Sequence, residues 1–276
     1  MLAFGTRSSY FLISPLYETR LIETLKNTIP ESAKPFLRSL KELATDSPTD
    51  RRIKRLKRRD NSRIPLLLDT EEIIRRVQFA ANAIYGENWN FQSDALRREM
   101  VQLFETCVQH LALSKQYIDY LEIGSCQGLS MSLMGQLLAD ARKLGTLVSI
   151  DPYFTDGYIE QDSVVEINKS TRERAFSLYK SLGVAVEHLE EISSTALTKL
   201  LRTNRSFSLI YVDGSHEGMN PLRDTALSIE LVTSNGIIML DDHQTYGDVK
   251  VVKELCDRNY RKIAETWKVA AYEIPS

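Results

Sequence analysis

Hydrophobic and polar positions follow two different rhythms along this chain. Up to about residue 115, apolar positions recur with helical spacing over 16–28, 70–84 and 93–113, in segments broken by Pro15, Pro30, Pro35, Pro48 and Pro65. From about 116 the rhythm changes to short apolar runs separated by longer amphipathic stretches. The runs predict strands over 118–123, 146–151, 184–189, 208–213 and 236–241. The stretches between and after them predict helices over 130–144, 164–182, 194–201, 221–233 and 249–260. The runs are β-branched and nearly continuous, as strands are when helices cover both faces of a sheet. Pro221 suits a first helical turn, and Asn235-Gly236 a turn that opens the fifth strand. This repetition predicts an α/β fold: a doubly wound, Rossmann-like, mostly parallel sheet over 116–276, preceded by a helical N-terminal extension over 1–115. The tail over 262–274 offers one or two short closing strands.

With 276 residues and 43% apolar content, the chain can bury one large core, or a core and a smaller appendage. A net charge of −2 gives no global attraction to nucleic acid or membrane. The charge is uneven, however. Residues 51–63, RRIKRLKRRDNSR, hold eight basic residues and one acid, and read as a solvated helix or linker after a connector at 47–50. Contact with phosphate or an acidic partner is the sharper reading of that run. Cys107, Cys126 and Cys256 fit neither a disulfide framework nor a zinc pattern, which points to a reducing compartment. No apolar run approaches the length of a membrane span. The first seventeen residues lack acids and carry Arg7, Ser8 and Ser9, a faint transit-peptide character, while 11–15 is too short for a secretory signal. The expected compartment is the cytoplasm.

The chemistry gathers where the apolar runs stop. YLEIGSCQGLS over 120–130 puts Glu122 at the end of the first strand; the later runs stop at Asp151, at Asp213 in YVDGSH, and at Asp241-Asp242 in IMLDDH. In a parallel α/β sheet such stops share one edge, where ligands bind. Gly124 and Gly128 let the backbone turn sharply beside a ligand. The helix that follows begins near Ser130, whose hydroxyl and helix N-terminus suit a carboxylate. Asp151, at the end of the second strand, stands where an acid holds ribose hydroxyls. A dinucleotide fits poorly, because the third glycine of that fingerprint is missing and Cys126 occupies the second. Glu122 and Asp151 suit a cationic, phosphate-free cofactor such as S-adenosylmethionine, with its sulfonium and ammonium.

Asp213, Asp241 and Asp242 form a second group. Clustered carboxylates repel one another unless a cation sits among them, and hard oxygen donors suit magnesium. The blander reading gives Asp213 to the cofactor alone and makes Asp241-Asp242 a loop cap. His216, three residues past Asp213, is placed to take a proton from a substrate hydroxyl. His243 has no settled role; His110 and His188 read as structural. Arg223 and Asp224 read as an exposed helical turn. Ser193, Ser194 and Thr195 are candidate helix caps, and 191–193 is a candidate adenine contact.

These motifs, in this order over about 117–260, resemble class I S-adenosylmethionine-dependent methyltransferases, and among them the metal-dependent O-methyltransferases of macrolide-sugar and catechol types. The resemblance implies that Gly124, Gly128 and Ser130 hold the amino-acid end of the cofactor and Asp151 its ribose. It implies a magnesium ion among Asp213, Asp241 and Asp242, where catechol-type enzymes have asparagine in the third position and the sugar branch has aspartate. His216 stands where the catechol branch has lysine and the sugar branch histidine. Cys126 departs from the family's usual Gly or Tyr. The chain ends sixteen residues after Tyr260, so a short terminal hairpin is expected. The implied activity is methyl transfer from S-adenosylmethionine to a hydroxyl of a small molecule, with His216 as base and no membrane or nucleic-acid partner. The N-terminal helices are then a pocket wall or a contact between copies of the chain. Residues 155–169, rich in acids, read as an exposed loop or as a cover over the acceptor.

Two rivals stand beside this expectation. One is a non-haem iron oxygenase with His216, His243 and Asp213 or Asp241 as a two-histidine, one-carboxylate site. The other is a non-catalytic module whose basic run recruits a partner.

Overall fold

The computed structural model describes residues 69–86, 93–153, 158–159, 166–167 and 169–275. The helix expected at 16–28, the basic run at 51–63 and most of the segment at 155–169 lie outside them. Helix α1 (Thr70–Tyr85) starts where the Asp69 carboxylate accepts the amide of Glu72 at 3.0 Å. Its apolar stripe of Ile73, Val77 and Ala81 is fully buried, and burial of Ile73 or Val77 contributes roughly 1.5–3 kcal/mol each. The helix expected at 93–113 is interrupted. A 3₁₀ turn (Ser93–Leu96) and an extended Arg97 precede α2 (Arg98–Ala112).

The alternating part then follows as β1 (Ile118–Ile123), α3 (Leu129–Asp140), β2 (Leu144–Ile150), α4 (Lys169–Ser181), β3 (Glu187–Leu189), α5 (Ser193–Arg202), β4 (Phe207–Val212), α6 (Asn220–Leu231), β5 (Val232–Leu240), α7 (Gly247–Asn259), β6 (Arg261–Glu265) and β7 (Ala270–Ile274). The seven strands form one sheet in the order β3-β2-β1-β4-β5-β7-β6. Strands β1 to β5 run parallel; β7 is antiparallel to both β5 and β6, so the tail does close as a hairpin. A two-residue ribbon pairs Tyr158–Ile159 with Glu166–Ile167. This is the doubly wound, mostly parallel sheet that the periodicity predicts.

The boundaries differ where turns override periodicity. Leu144 opens β2 rather than closing a helix, after Arg142 turns the chain at φ 54°. β3 is three residues long, because 184–186 is not extended along a neighbour. β5 begins at Val232, inside the expected helix, and a register irregularity with Asn235 at φ 55° joins its two halves. From Leu129 to Leu138 every residue of α3 is buried, as in a helix covered on all sides. Helix α1 supplies part of that cover: Arg76 donates to the Gln136 side chain at 3.0 Å, and the Tyr85 hydroxyl to the Gln127 carbonyl at 2.9 Å.

Candidate functional site

Strand register lines up the residues that matter. Leu189, Ile150, Ile123, Val212 and Leu240 form one row across the sheet. Each next residue stands just past that row: Glu190, Asp151, Gly124, Asp213 and Asp241. The ladder runs one step further at this edge, with Asp151 N to Leu189 O at 3.2 Å, Gly124 N to Ile150 O at 2.8 Å, Asp213 N to Ile123 O at 2.9 Å and Asp241 N to Val212 O at 3.1 Å. Four carboxylates and one glycine therefore line one edge of the sheet. Gly124 is required there: a Cβ on it would lie 2.0 Å from the Asp213 carbonyl oxygen, and its φ is +84°.

On the β1–β2 side the acids are already hydrogen-bonded. Glu122 accepts the Ser130 hydroxyl at 2.6 Å and the Tyr120 hydroxyl at 2.7 Å, and is fully buried. Burial pushes its carboxyl up to about 7 against the pull of those two donors. Ser130, expected to meet the cofactor, is thus tied to Glu122 and itself buried. Asp151 accepts the amides of Cys126 at 2.8 Å and Tyr153 at 3.1 Å, which folds the glycine loop over the end of β2; burial raises its carboxyl to about 6. Gly128, at φ +76°, caps α3 where any side chain would meet the Tyr179 ring at 2.6 Å. A buried hydroxyl network that the sequence reading missed links Ser149 to Ser125 at 2.6 Å, Ser125 to Tyr153 at 3.1 Å and Tyr153 to the Cys126 carbonyl at 2.6 Å. His188 joins it through Ser149 at 3.2 Å. His110, read as structural, pairs with Glu273 at 2.9 Å.

On the β4–β5 side Asp241 accepts the Tyr211 hydroxyl at 2.7 Å and lies 2.9 Å from the Lys268 ammonium. The Asp213 and Asp241 carboxyls are hydrogen-bonded to each other. Burial and the Asp241 charge push Asp213 up; burial pushes Asp241 up as well, but Lys268 and the hydrogen bond from Asp213 outweigh it and hold Asp241 down. The His216 Nε2 atom is 3.4 Å from Asp213 and 3.8 Å from Asp242. The imidazole stacks on Tyr246, ring centroids 4.7 Å apart. Its loop is braced by Gly218 N donating to Asp248 at 2.7 Å. Cys126, Tyr153 and Asp242 hold left-handed backbone at φ 41°, 40° and 51°, and each lies in this region.

Of the expected magnesium ligands, Asp213 and Asp241 come together. Among the described residues the third donor atom within 4.8 Å of both belongs to His216 rather than Asp242. His243 turns the other way: its Nε2 lies 3.2 Å from the Thr266 carbonyl and 3.8 Å from Glu265. The two-histidine, one-carboxylate iron site is therefore not formed. Asp224 is not an exposed turn residue but 1% exposed, accepting the Ser193 hydroxyl at 2.8 Å, with its carboxyl raised by burial to about 6. Ser193 is thereby spent on Asp224, and α5 starts after Ile192 with no side-chain cap.

Residues 121–243 match a family model described as a methyltransferase domain. Over 134 residues, 48% of this chain, the sequence is 30% identical to the uncharacterized protein R132 of Acanthamoeba polyphaga mimivirus; the match spans about half (54%) of that relative's length. The fold is similar to that of the O-methyltransferase NovP, with a TM-score of 0.55 at 14% identity over 75% of this chain and 100% of that one. It is also similar to S-adenosylhomocysteine-bound methyltransferase PaMTH1 of Podospora anserina, with a TM-score of 0.50 at 12% identity over 78% of this chain and 99% of that one. Among the described residues no helix is long and apolar enough to cross a membrane.

Proposed function

We propose that this chain, whose residues 121–243 match a methyltransferase-domain family model, is a class I S-adenosylmethionine-dependent methyltransferase that transfers the methyl group of S-adenosylmethionine to a hydroxyl of a small molecule. The observation that carries the reading is the row of carboxylates beyond the parallel strands with the His216 imidazole set among them. The acids favour a cationic donor over a phosphate-bearing one. Gly124 and Gly128 admit its amino-acid end, Asp151 takes the ribose hydroxyls, and Glu122 acts through Ser130 by fixing the loop. In the reaction, His216 Nε2 accepts the acceptor's hydroxyl proton. An oxygen lone pair attacks the methyl carbon, the carbon–sulfur bond breaks, and the sulfonium becomes the neutral thioether of S-adenosylhomocysteine. The imidazolium that forms lies 3.4 Å from the Asp213 carboxyl and 3.8 Å from Asp242, whose negative charge stabilises it. That NovP is an O-methyltransferase of the same fold supports the choice of a hydroxyl acceptor.

Magnesium fits this donor set poorly. The third donor near Asp213 and Asp241 is His216, so an ion bound there would take the nitrogen that the proton transfer uses. Lys268 already stands against Asp241 and, at 3.7 Å, Asp242. The cytoplasm is the compartment of this reading, in keeping with three buried cysteines outside any disulfide. The test is release of S-adenosylhomocysteine across a panel of hydroxylated small molecules, sugars and phenols included. At least one should be methylated on oxygen by the wild type, and His216→Asn should abolish turnover while still binding S-adenosylmethionine. Turnover undiminished in His216→Asn would remove the base from the scheme.

A further inference from the structure

An acidic site that handles a cationic donor needs a compensating positive charge that stays in place when the donor leaves as a neutral thioether. The structure supplies one. The Lys268 ammonium lies 2.9 Å from Asp241 and 3.7 Å from Asp242, and its side chain is 17% exposed while that of Asp241 is wholly buried. The residue lies in the turn between β6 and β7, and that turn is built to deliver it. Thr266 N donates to the Val269 carbonyl at 2.8 Å, and the Thr266 hydroxyl oxygen accepts the amides of Lys268 at 3.2 Å and Val269 at 2.9 Å. His243 then clamps the turn to the end of β5 twice: its amide donates to the Lys268 carbonyl at 3.2 Å, and its Nε2 lies 3.2 Å from the Thr266 carbonyl. The histidine beside the Asp pair thus has work that is neither ligation nor proton transfer.

Resting on the methyl-transfer reading above, we propose that Lys268 is the site's own cation: it holds Asp241 and Asp242 in the place where a divalent ion would balance them, and the reaction runs without a bound metal. Lys268 is a positioning residue in this scheme, with His243 as the clamp that holds its turn. The carboxylates keep their ionised form and direction because a tethered ammonium faces them. A second cation entering the cluster meets that charge at a few ångströms and is repelled.

The experiment compares the full-length wild type with Lys268→Met, which keeps the length of the side chain and removes its charge. Manganese binding is read by electron paramagnetic resonance, and turnover is read with and without a chelator. The wild type should bind manganese weakly and lose no turnover to the chelator. Lys268→Met should bind the ion about tenfold more tightly or better, and in chelator should lose most of its turnover. His243→Ala, which leaves every charge of the cluster in place but frees the turn, should also bind manganese more tightly than the wild type; this variant carries the test if Lys268→Met does not fold. Equal manganese affinity in the wild type and the variants, or wild-type turnover abolished by the chelator, overturns the proposal. Should no acceptor be methylated by any form, the functional reading fails, while the manganese comparison still decides the placement of the charge.

Discussion

The imidazole of His216 lies flat against the ring of Tyr246, centroids 4.7 Å apart and planes 13° from parallel. The two residues come from the loops after β4 and β5, so the stack fixes the orientation of the proposed base from the neighbouring strand's side. Aromatic pairs of this kind contribute about 0.5–1.5 kcal/mol. If that energy orients the base in the transition state, Tyr246→Ala should lower kcat by roughly three- to tenfold. The KM for S-adenosylmethionine should be unchanged, and Tyr246→Phe should restore kcat. Loss of cofactor affinity with kcat intact would mean that the stack serves binding instead.

Gly124 packs against the Asp213 carbonyl, with no room between them for a side chain. Gly124→Ala puts a methyl into backbone at 2.0 Å and leaves it at a φ that side chains avoid. A destabilisation of about 3 kcal/mol or more is expected from strain and displacement together. In thermal unfolding that corresponds to a fall of roughly 6–12 °C. A melting temperature within experimental error of the wild type would show that the loops can part freely.

Glu122 makes stability depend on pH. Its carboxyl is raised by burial from an ordinary 4.5 to about 7, so between those values the folded chain binds a proton that the unfolded chain has released. That contribution is complete below pH 4.5 and is lost as pH rises through 7. Glu122→Gln has no such group. Urea unfolding from pH 5 to 8 should therefore show wild-type stability falling relative to Glu122→Gln by on the order of 3 kcal/mol. Parallel profiles would place the charge of Glu122 in a less costly setting than the fold suggests.

Asp224 and Ser193 join α6 to the start of α5 through one half-buried hydrogen bond of 2.8 Å. Hydrogen bonds to charged groups contribute about 1.5–3 kcal/mol, and a double-mutant cycle with Asp224→Ala and Ser193→Ala should return a coupling of that size. Additive losses would mean that the two side chains act separately.

These cases also show what the sequence makes legible. The strands and their acidic ends could be read because a buried parallel strand is a continuous apolar run, and the step from apolar to acidic marks its end at Asp151, Asp213 and Asp241. Their convergence then followed from topology alone. Lys268 and Tyr246 could not be read this way. Both lie in connecting segments without periodicity, and each gains its meaning from a neighbour distant in sequence. Asp224 was misjudged because a carboxylate beside an arginine on a helix resembles a solvated turn; only the packing of α5 against α6 buries it. The starts of β5 and α2 differ from the apolar pattern for a local reason, since the backbone is already extended at Val232 and at Arg97.

Calorimetric titration of S-adenosylmethionine into the full chain and into Asp151→Ala, with melting temperatures recorded for both, tests the central claim most directly. The account predicts one site per chain in the wild type and an affinity lower by about a hundredfold, near 2.7 kcal/mol, in a folded Asp151→Ala. A wild type that takes up no S-adenosylmethionine, or an alanine variant that binds it as tightly, would contradict the account.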